Sequence, residues 1–281
     1  MFQTKRQPSR NQKNLLDHYV WGRQTINQLA FKVGRSHVWV RQQLDQAASS
    51  RSSLLPQPTV IAVDVTFWGR RYGVCVFRSP TLKRNLWWRE VELETPDIYA
   101  LGLTELQHQG WNIQAVVIDG KRGVAKVFKG LPIQICQFHQ MKTVTRYLTR
   151  KPQIRAGQEL RSITLGLTQR TEVEFRKQLQ SWGEDWKNFL NERTPCPCCN
   201  PKRWPYTHRK LRAAYRSLTT NLPHLFTYQK YPELSIPNTT NCLDGMFSQI
   251  KNRLAVHRGL RRDRRFKIIG EILKGRGPSS N

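Results

Sequence analysis

Acidic residues are scarce in this chain: 19 aspartates and glutamates stand against 47 lysines and arginines, a formal net charge of +28. No acid lies between Asp119 and Glu159, and none between Arg193 and Tyr231. Such an imbalance implies a polyanionic partner, with nucleic acid the first candidate and an anionic membrane the second. Long apolar runs are also missing. No stretch approaches the ~20 residues that span a bilayer, and residues 1–8 lack the apolar core of a secretory signal. The cysteines, six in all, are not spaced like a disulfide framework. Internal repeats are absent. These absences point to a cytoplasmic, nucleoid-associated protein with no membrane partner.

Against that scarcity, the positions of two acids stand out. Asp64 ends the apolar run Val60-Ile61-Ala62-Val63, and Asp119 ends Ala115-Val116-Val117-Ile118. A carboxylate closing a strand-like segment costs several kcal/mol unless it is paired or binds a metal. Two of them in so basic a chain suggest a metal site facing a polyanion. A solvated basic surface, as in a ribosomal protein, gives them no role.

The chain divides by composition. A basic arm precedes a helical segment, and residues 1–50 read as a helix-turn-helix domain. Thr25 is placed to cap one helix, Leu29, Ala30 and Val33 form its apolar face, Gly34 supplies the left-handed turn, and Ser36 caps the next helix. In such a unit the second helix enters the major groove. That makes Arg35, Ser36, His37, Trp39, Arg41 and Gln42 candidate DNA contacts, the alternative being an ordinary three-helix packing unit. Residues 51–58, rich in serine and proline, read as a linker. Strands are expected at 59–67, 71–78, 85–93, 112–118 and 133–136, with helices at 96–109 and 124–129. This order matches the first part of a ribonuclease-H-like core, placed at 59–152. Residues 153–235 read as a helical insertion, and 236–281 as a closing helix (239–254) with a basic tail. The expected fold class is therefore α/β: a ribonuclease-H-like mixed sheet with a helical insertion, preceded by an all-α helix-turn-helix domain.

In that strand order the first and fourth strands are neighbours, so Asp64 and Asp119 fall on one edge of the sheet. The closing helix offers a third carboxylate, Asp244, beside the apolar face of Leu243, Phe247, Ile250 and Leu254. Three hard oxygen ligands suit Mg2+ or Mn2+. A pair of such ions ~3.5–4 Å apart can serve both sides of an in-line displacement at phosphorus.

The ordered motifs resemble those of DDE-type transposases of the Mutator-like superfamily, bacterial insertion-sequence members included. They are Asp64-Val65-Thr66-Phe67, Val117-Ile118-Asp119-Gly120, the Cys136-x-x-His139 pair, Trp204 to Arg212, Asn241-x-Leu243-Asp244-Gly245-x-Phe247-Ser248-x-x-Lys251, and His257-Arg258-Gly259-Leu260. The resemblance covers most of residues 25–273. It implies a transposase that binds terminal inverted repeats and target DNA, acts as a homodimer or larger assembly, and cuts and joins strands with Asp64, Asp119 and Asp244 on the metal and His139 close to the scissile phosphate. Lys142, Arg209 and Lys251, standing within these motifs, are read as DNA contacts. The sequence departs from the family pattern in two ways: the last acid is Asp244 where relatives usually have glutamate, and no cysteine pairs of a zinc ribbon precede the helix-turn-helix. A shortened, domesticated or catalytically impaired DNA-binding descendant is the alternative.

Cys196, Cys198, Cys199 and His208 form a candidate structural zinc set, against which the adjacent pair Cys198-Cys199 argues for a plain cysteine-rich loop. Cys75 and Cys242 read as packing residues. Trp182 and Trp186, four apart, fit a helix core better than a base-stacking platform. The basic tail, with Arg258, Arg261, Arg262, Arg264, Arg265 and Lys267, is expected to contact phosphate without reading sequence.

Overall fold

The computed structural model describes residues 10–47, 54–194, 204–257 and 259–275. In chain order, three helices come first: α1 (Arg10–Val20), α2 (Ile26–Val33) and α3 (His37–Gln46). The strands β1 (Thr59–Phe67), β2 (Gly73–Ser79) and β3 (Arg84–Val91) lead to α4 (Pro96–His108), β4 (Ile113–Ile118), α5 (Val124–Val127), β5 (Ile133–Ile135) and α6 (Gln137–Leu148). The helices α7 (Arg155–Leu165), α8 (Glu172–Asp185), α9 (Lys187–Asn191), α10 (Arg209–Leu225) and α11 (Thr227–Lys230) follow. A short 3-10 turn then leads to α12 (Asn241–Leu254) and α13 (Arg262–Lys274).

The five strands form one mixed sheet in the order β3-β2-β1-β4-β5. The first three are antiparallel neighbours, whereas β4 runs parallel to β1 and β5 parallel to β4. Residues Val60, Ile61 and Ala62 pair with Ala115, Val116 and Val117, so the two strands do lie side by side, with Asp64 inside β1 three residues before its end and Asp119 one residue past β4. Both faces of these strands are covered, which is why they read as continuous apolar runs rather than alternating ones. Ile61, Val63, Cys75, Phe77, Val116 and Ile118 face α4, α6 and, further out, α10. The alternate residues Val60, Ala62, Val74, Val76, Ala115 and Val117 face α12, α13 and the α1–α3 unit.

Close packing of α4 on the sheet depends on Gly102. A methyl group there would sit 2.7 Å from the Phe77 ring and 3.0 Å from Trp87. Gly→Ala normally favours a helix by ~1 kcal/mol. Gly102→Ala is instead expected to destabilise by about 1–3 kcal/mol through overpacking, measured as a lower denaturant midpoint at unchanged slope.

Local chemistry sets the α1–α3 geometry. Thr25 and Gln28 form a reciprocal capping box, Gly34 closes α2 at φ 61°, and the Ser36 hydroxyl accepts from the Trp39 amide at 3.2 Å. Leu29 and Ala30 are buried as expected, but Val33, expected on the same face, is exposed.

The C-terminal basic stretch is not a tail. It forms α13, with Ile268, Ile269, Ile272 and Leu273 buried under a basic flank. Its cations are held internally. Arg262 pairs with Glu90 and Glu92, and Arg264 makes two hydrogen bonds to Asp45 at 2.9 and 2.7 Å. Lys267 donates to the carbonyls of Leu44 and Asp45 at 2.6 and 2.7 Å. Those carbonyls belong to the last turn of α3, where helix oxygens lack partners and a positive charge is favoured. So Arg262, Arg264 and Lys267, expected to meet phosphate, fasten α13 to the sheet edge and to α3. Among the described residues no helix is long and apolar enough to cross a membrane.

Candidate functional site

Strand parity decides where Asp64 points. Side chains alternate along a strand, and Val60 and Ala62 face α12, so Asp64 faces α12 as well. There the buried face Leu243, Phe247, Ile250 and Leu254 seats the helix on the sheet and leaves Asp244 in its first turn, turned to the sheet end. Asp244 also gains from the positive end of the helix dipole.

Asp64, His139 and Asp244 each bring one ligand atom within 4.8 Å of the others. This differs from the expected set of three aspartates: His139 joins the tight group and Asp119 does not. Asp119 stands one residue past β4, where Gly120 takes φ 83° and the Asp119 carboxylate turns back to accept from the Lys121 amide at 2.8 Å. It remains close enough for its charge to raise the Asp64 pKa.

Burial pushes the Asp64 carboxyl up to about 7; the nearby His139 opposes the shift, while Asp119 and Asp244 add to it. Burial likewise raises Asp119, with Glu94 contributing. Asp244 Oδ2 is buried and has no hydrogen-bond partner among the described residues. An orphaned carboxylate oxygen beside two strained carboxyl groups is what a divalent cation would satisfy. Two carboxylates and an imidazole, with a third carboxylate near, suit Mn2+ directly; Mg2+ would draw on the oxygens alone.

His139 is held by a network in which only the Cys136-x-x-His139 pair was visible in the sequence. Its Nδ1 lies 3.3 Å from Thr240 Oγ1, and the imidazole hydrogen-bonds the Cys136 sulfur. That sulfur also accepts from the Thr240 amide and hydroxyl at 3.3 and 3.4 Å. The bond to Cys136 raises the His139 pKa above its ordinary value. Burial alone would raise the Cys136 thiol, but the hydrogen bonds from His139 and Thr240 outweigh it and hold it low. Thr240 caps α12, so the network ties the start of α6 to the start of the helix carrying Asp244. Backbone stitching reinforces it: the Gln137 amide donates to the Asn238 carbonyl at 2.9 Å. Cys136 is thus an acceptor that positions His139.

Lys142, one turn beyond His139, sits 4.0 Å from Asp244 Oδ1 and 4.2 Å over the Phe138 ring. Glu94, unsignalled by any pattern because it lies in the loop before α4, accepts from Tyr99 at 2.6 Å and pairs with Lys121 at 2.9 Å. Beside the site opens a cavity of about 1030 Å³. Asp119 and His139 line it together with Lys142 and Arg146 of α6, and Arg209, Arg212 and Arg216 of α10. Of these arginines only Arg209 was expected. The spacings 142/146 and 209/212/216 place each set on one helix face and were legible in principle.

The other expected residues are placed as follows. Arg35, His37, Arg41 and Gln42 are exposed on or beside α3, and Trp39 is half-buried with the Arg35 guanidinium 5.8 Å over its ring. The Ser36 hydroxyl is taken up by its cap. Lys251 and Arg261 are exposed. Arg258 lies outside the described residues, as do Cys196, Cys198 and Cys199. His208, their proposed zinc partner, instead bonds Glu192 at 2.9 Å and stacks on Phe189 at 3.7 Å. Trp182 is buried and donates to the Ala156 carbonyl, and Trp186 donates to Glu159, so both serve the helical core. Cys75 is buried, but Cys242, read as a packing residue, is exposed.

No family model matches the chain, and no curated protein or solved structure matches it either.

Proposed function

We propose that the protein is a DNA transposase: the α1–α3 unit acts as a helix-turn-helix on terminal inverted repeats, and a ribonuclease-H-like core cuts and joins strands with divalent cations. One observation carries the reading. The buried, partnerless Asp244 Oδ2 lies in a tight group with Asp64 at one sheet end, in a chain of net charge +28. Support also comes from the strand order β3-β2-β1-β4-β5, with its three antiparallel strands followed by two parallel ones.

Asp64 and Asp244 would hold Mg2+ or Mn2+, with Asp119 or His139 completing the set. When bound, the ion supplies Lewis-acid polarisation of a phosphoryl oxygen and lowers the pKa of a water or 3′-hydroxyl. The chain's own groups do the rest. Partial burial of Asp64 limits its contact with water and strengthens the charge interactions around it. Lys142 offers a half-exposed ammonium beside Asp244 that would offset phosphate charge as DNA arrives. Where Asp119 completes the set, His139, oriented by Cys136 and Thr240, is left free of the ion to give a proton to a leaving oxygen. Exposed Arg41 and Gln42 on α3 would reach base edges, while Lys251 and Arg261 would meet phosphate. Joining two element ends calls for two copies of the chain, and the substrate places the protein at the nucleoid.

The test uses a plasmid carrying the DNA that flanks the reading frame, incubated with the protein and Mg2+ or Mn2+. Nicks at the element ends and joined products, both lost on chelation, are expected. Tight repeat binding with no cleavage under either cation would favour the alternative of a catalytically impaired DNA-binding descendant.

A further inference from the structure

We propose that the cavity between α6 and α10 takes an unpaired stretch of DNA next to the scissile phosphate; this rests on the transposase reading and specifies the form of substrate that site accepts. The argument begins with charge. Lys142 and Arg146 are four apart on α6, and Arg209, Arg212 and Arg216 fall at i, i+3 and i+7 on α10, so two cationic stripes line one space. The helices are tied at one end through Gln140, which donates to Ser217 at 3.0 Å and accepts from Asn221 at 2.8 Å. Like charges held across a cavity repel, and among the described residues the wall offers only one acid, Asp119.

Elsewhere the chain assigns its few acids to its cations. Arg155, Arg176, Lys230, Arg262 and Arg264 all have carboxylate partners. Among the described residues Arg146, Arg209 and Arg216 form no ion pair. Arg212 is already oriented: it donates to the Leu190 carbonyl at 2.6 Å and lies 3.5 Å over the Tyr206 ring. A polyanion between the stripes would relieve the repulsion.

Size selects the form of that polyanion. A space of about 1030 Å³ would be roughly 12 Å across if round, comparable to one groove of B-form DNA and narrower than the duplex. It stands at the upper end of the ~300–1,000 Å³ of small-ligand sites, and one phosphate would not engage so many cations. Tyr147 and Tyr206 also line it. Basic side chains interleaved with aromatic rings are how proteins track a single strand without reading its sequence. Asp119 and His139 at the wall connect it to the carboxylate site, so a strand leaving that site enters the cavity directly.

The experiment measures fluorescence anisotropy of the full chain on labelled oligodeoxynucleotides in EDTA, so that no cleavage intervenes. Single-stranded, fully paired and forked duplexes are compared. For Arg146→Ala/Arg216→Ala, affinity for the single strand and fork is expected to fall about tenfold or more, with a salt slope shallower by about 1.4, two contacts at ~0.7 each. Binding to the full duplex is expected to change little. The control Arg155→Ala/Arg176→Ala, which removes the same charge from α7 and α8, is expected to bind every probe as the wild type does. Arg146→Gln/Arg216→Gln, with circular-dichroism melting, separates lost contacts from lost folding. Equal losses on duplex and single strand, or none on either, overturn the proposal. Unchanged fork binding in a variant that still cleaves with Mn2+ sinks the cavity assignment and spares the transposase reading. A wild type that never cleaves, yet binds forks through these arginines, does the reverse.

Discussion

Asp64→Ala is expected to lower DNA cleavage and joining by about 10³-fold or more while leaving binding to the flanking repeats intact. Asp244→Ala should do the same. Both carboxylates belong to the tight group at the sheet end, and neither is on the exposed faces read as DNA contacts. Removing either leaves too few oxygens to hold a divalent cation, so the loss appears in the chemical step. Folding is not at risk in these variants. Asp64 is a largely buried carboxyl whose charged form is disfavoured where it stands, and Asp244 Oδ2 has no partner among the described residues to leave behind. Asp119→Ala should also reduce cleavage, because its carboxylate acts on the same space. Single-turnover cleavage of a labelled repeat, with anisotropy on the same DNA, separates the two effects. Equal losses in binding and cleavage would place these acids in the DNA interface instead.

The second large effect concerns stability and pH without metal. The folded-state pKa of Asp64 is pushed from 3.8 to about 7. Below pH 4 the group is protonated folded or unfolded, and it costs nothing. Between about pH 4 and 7 the native state holds a proton that the unfolded state has released, so stability falls as pH rises. Above 7 the penalty is complete, on the order of 4 kcal/mol at 1.36 kcal/mol per unit. Asp64→Asn is therefore expected to be more stable than the wild type at pH 8 in EDTA, by up to a few kcal/mol, with the difference vanishing near pH 4. Adding Mn2+ should close the gap at pH 8, since the ion stabilises only the wild type. Denaturant unfolding across this range checks it. A wild type as stable as the variant at pH 8 in EDTA would mean that Asp64 carries no such strain.

Much of the site was legible because it lies where periodicities end. The apolar runs before Asp64 and Asp119 announced two strands, and parity then sent Asp64 to the side covered by α12. The spacing of Leu243, Phe247, Ile250 and Leu254 named the buried face of α12 and so the position of Asp244. What escaped depends on loops and on partners far along the chain. Asp119 was expected in one group with the other two acids; its carboxylate accepts from the Lys121 amide, and it stands near Asp64 but outside the tight group that His139 joins. The Cys136-x-x-His139 spacing was visible, but the second hold on His139 comes from Thr240, 101 residues away, and no local pattern encodes that partner. The helix α13 was masked by charge: Arg261, Arg262, Arg264, Arg265 and Lys267 hid the spacing of four buried apolar residues. Glu90 and Glu92, which pair with Arg262, and Asp45, which pairs with Arg264, come from distant segments, so part of a stretch that looked free to bind phosphate is fastened to the fold.

The most direct measurement is the anomalous scattering of Mn2+ in crystals of this protein. A peak between the carboxylates of Asp64 and Asp244, absent from Asp64→Ala crystals soaked alike, is what the account predicts. Density for the ion elsewhere, or none at this position at saturating Mn2+ above pH 7, would contradict it.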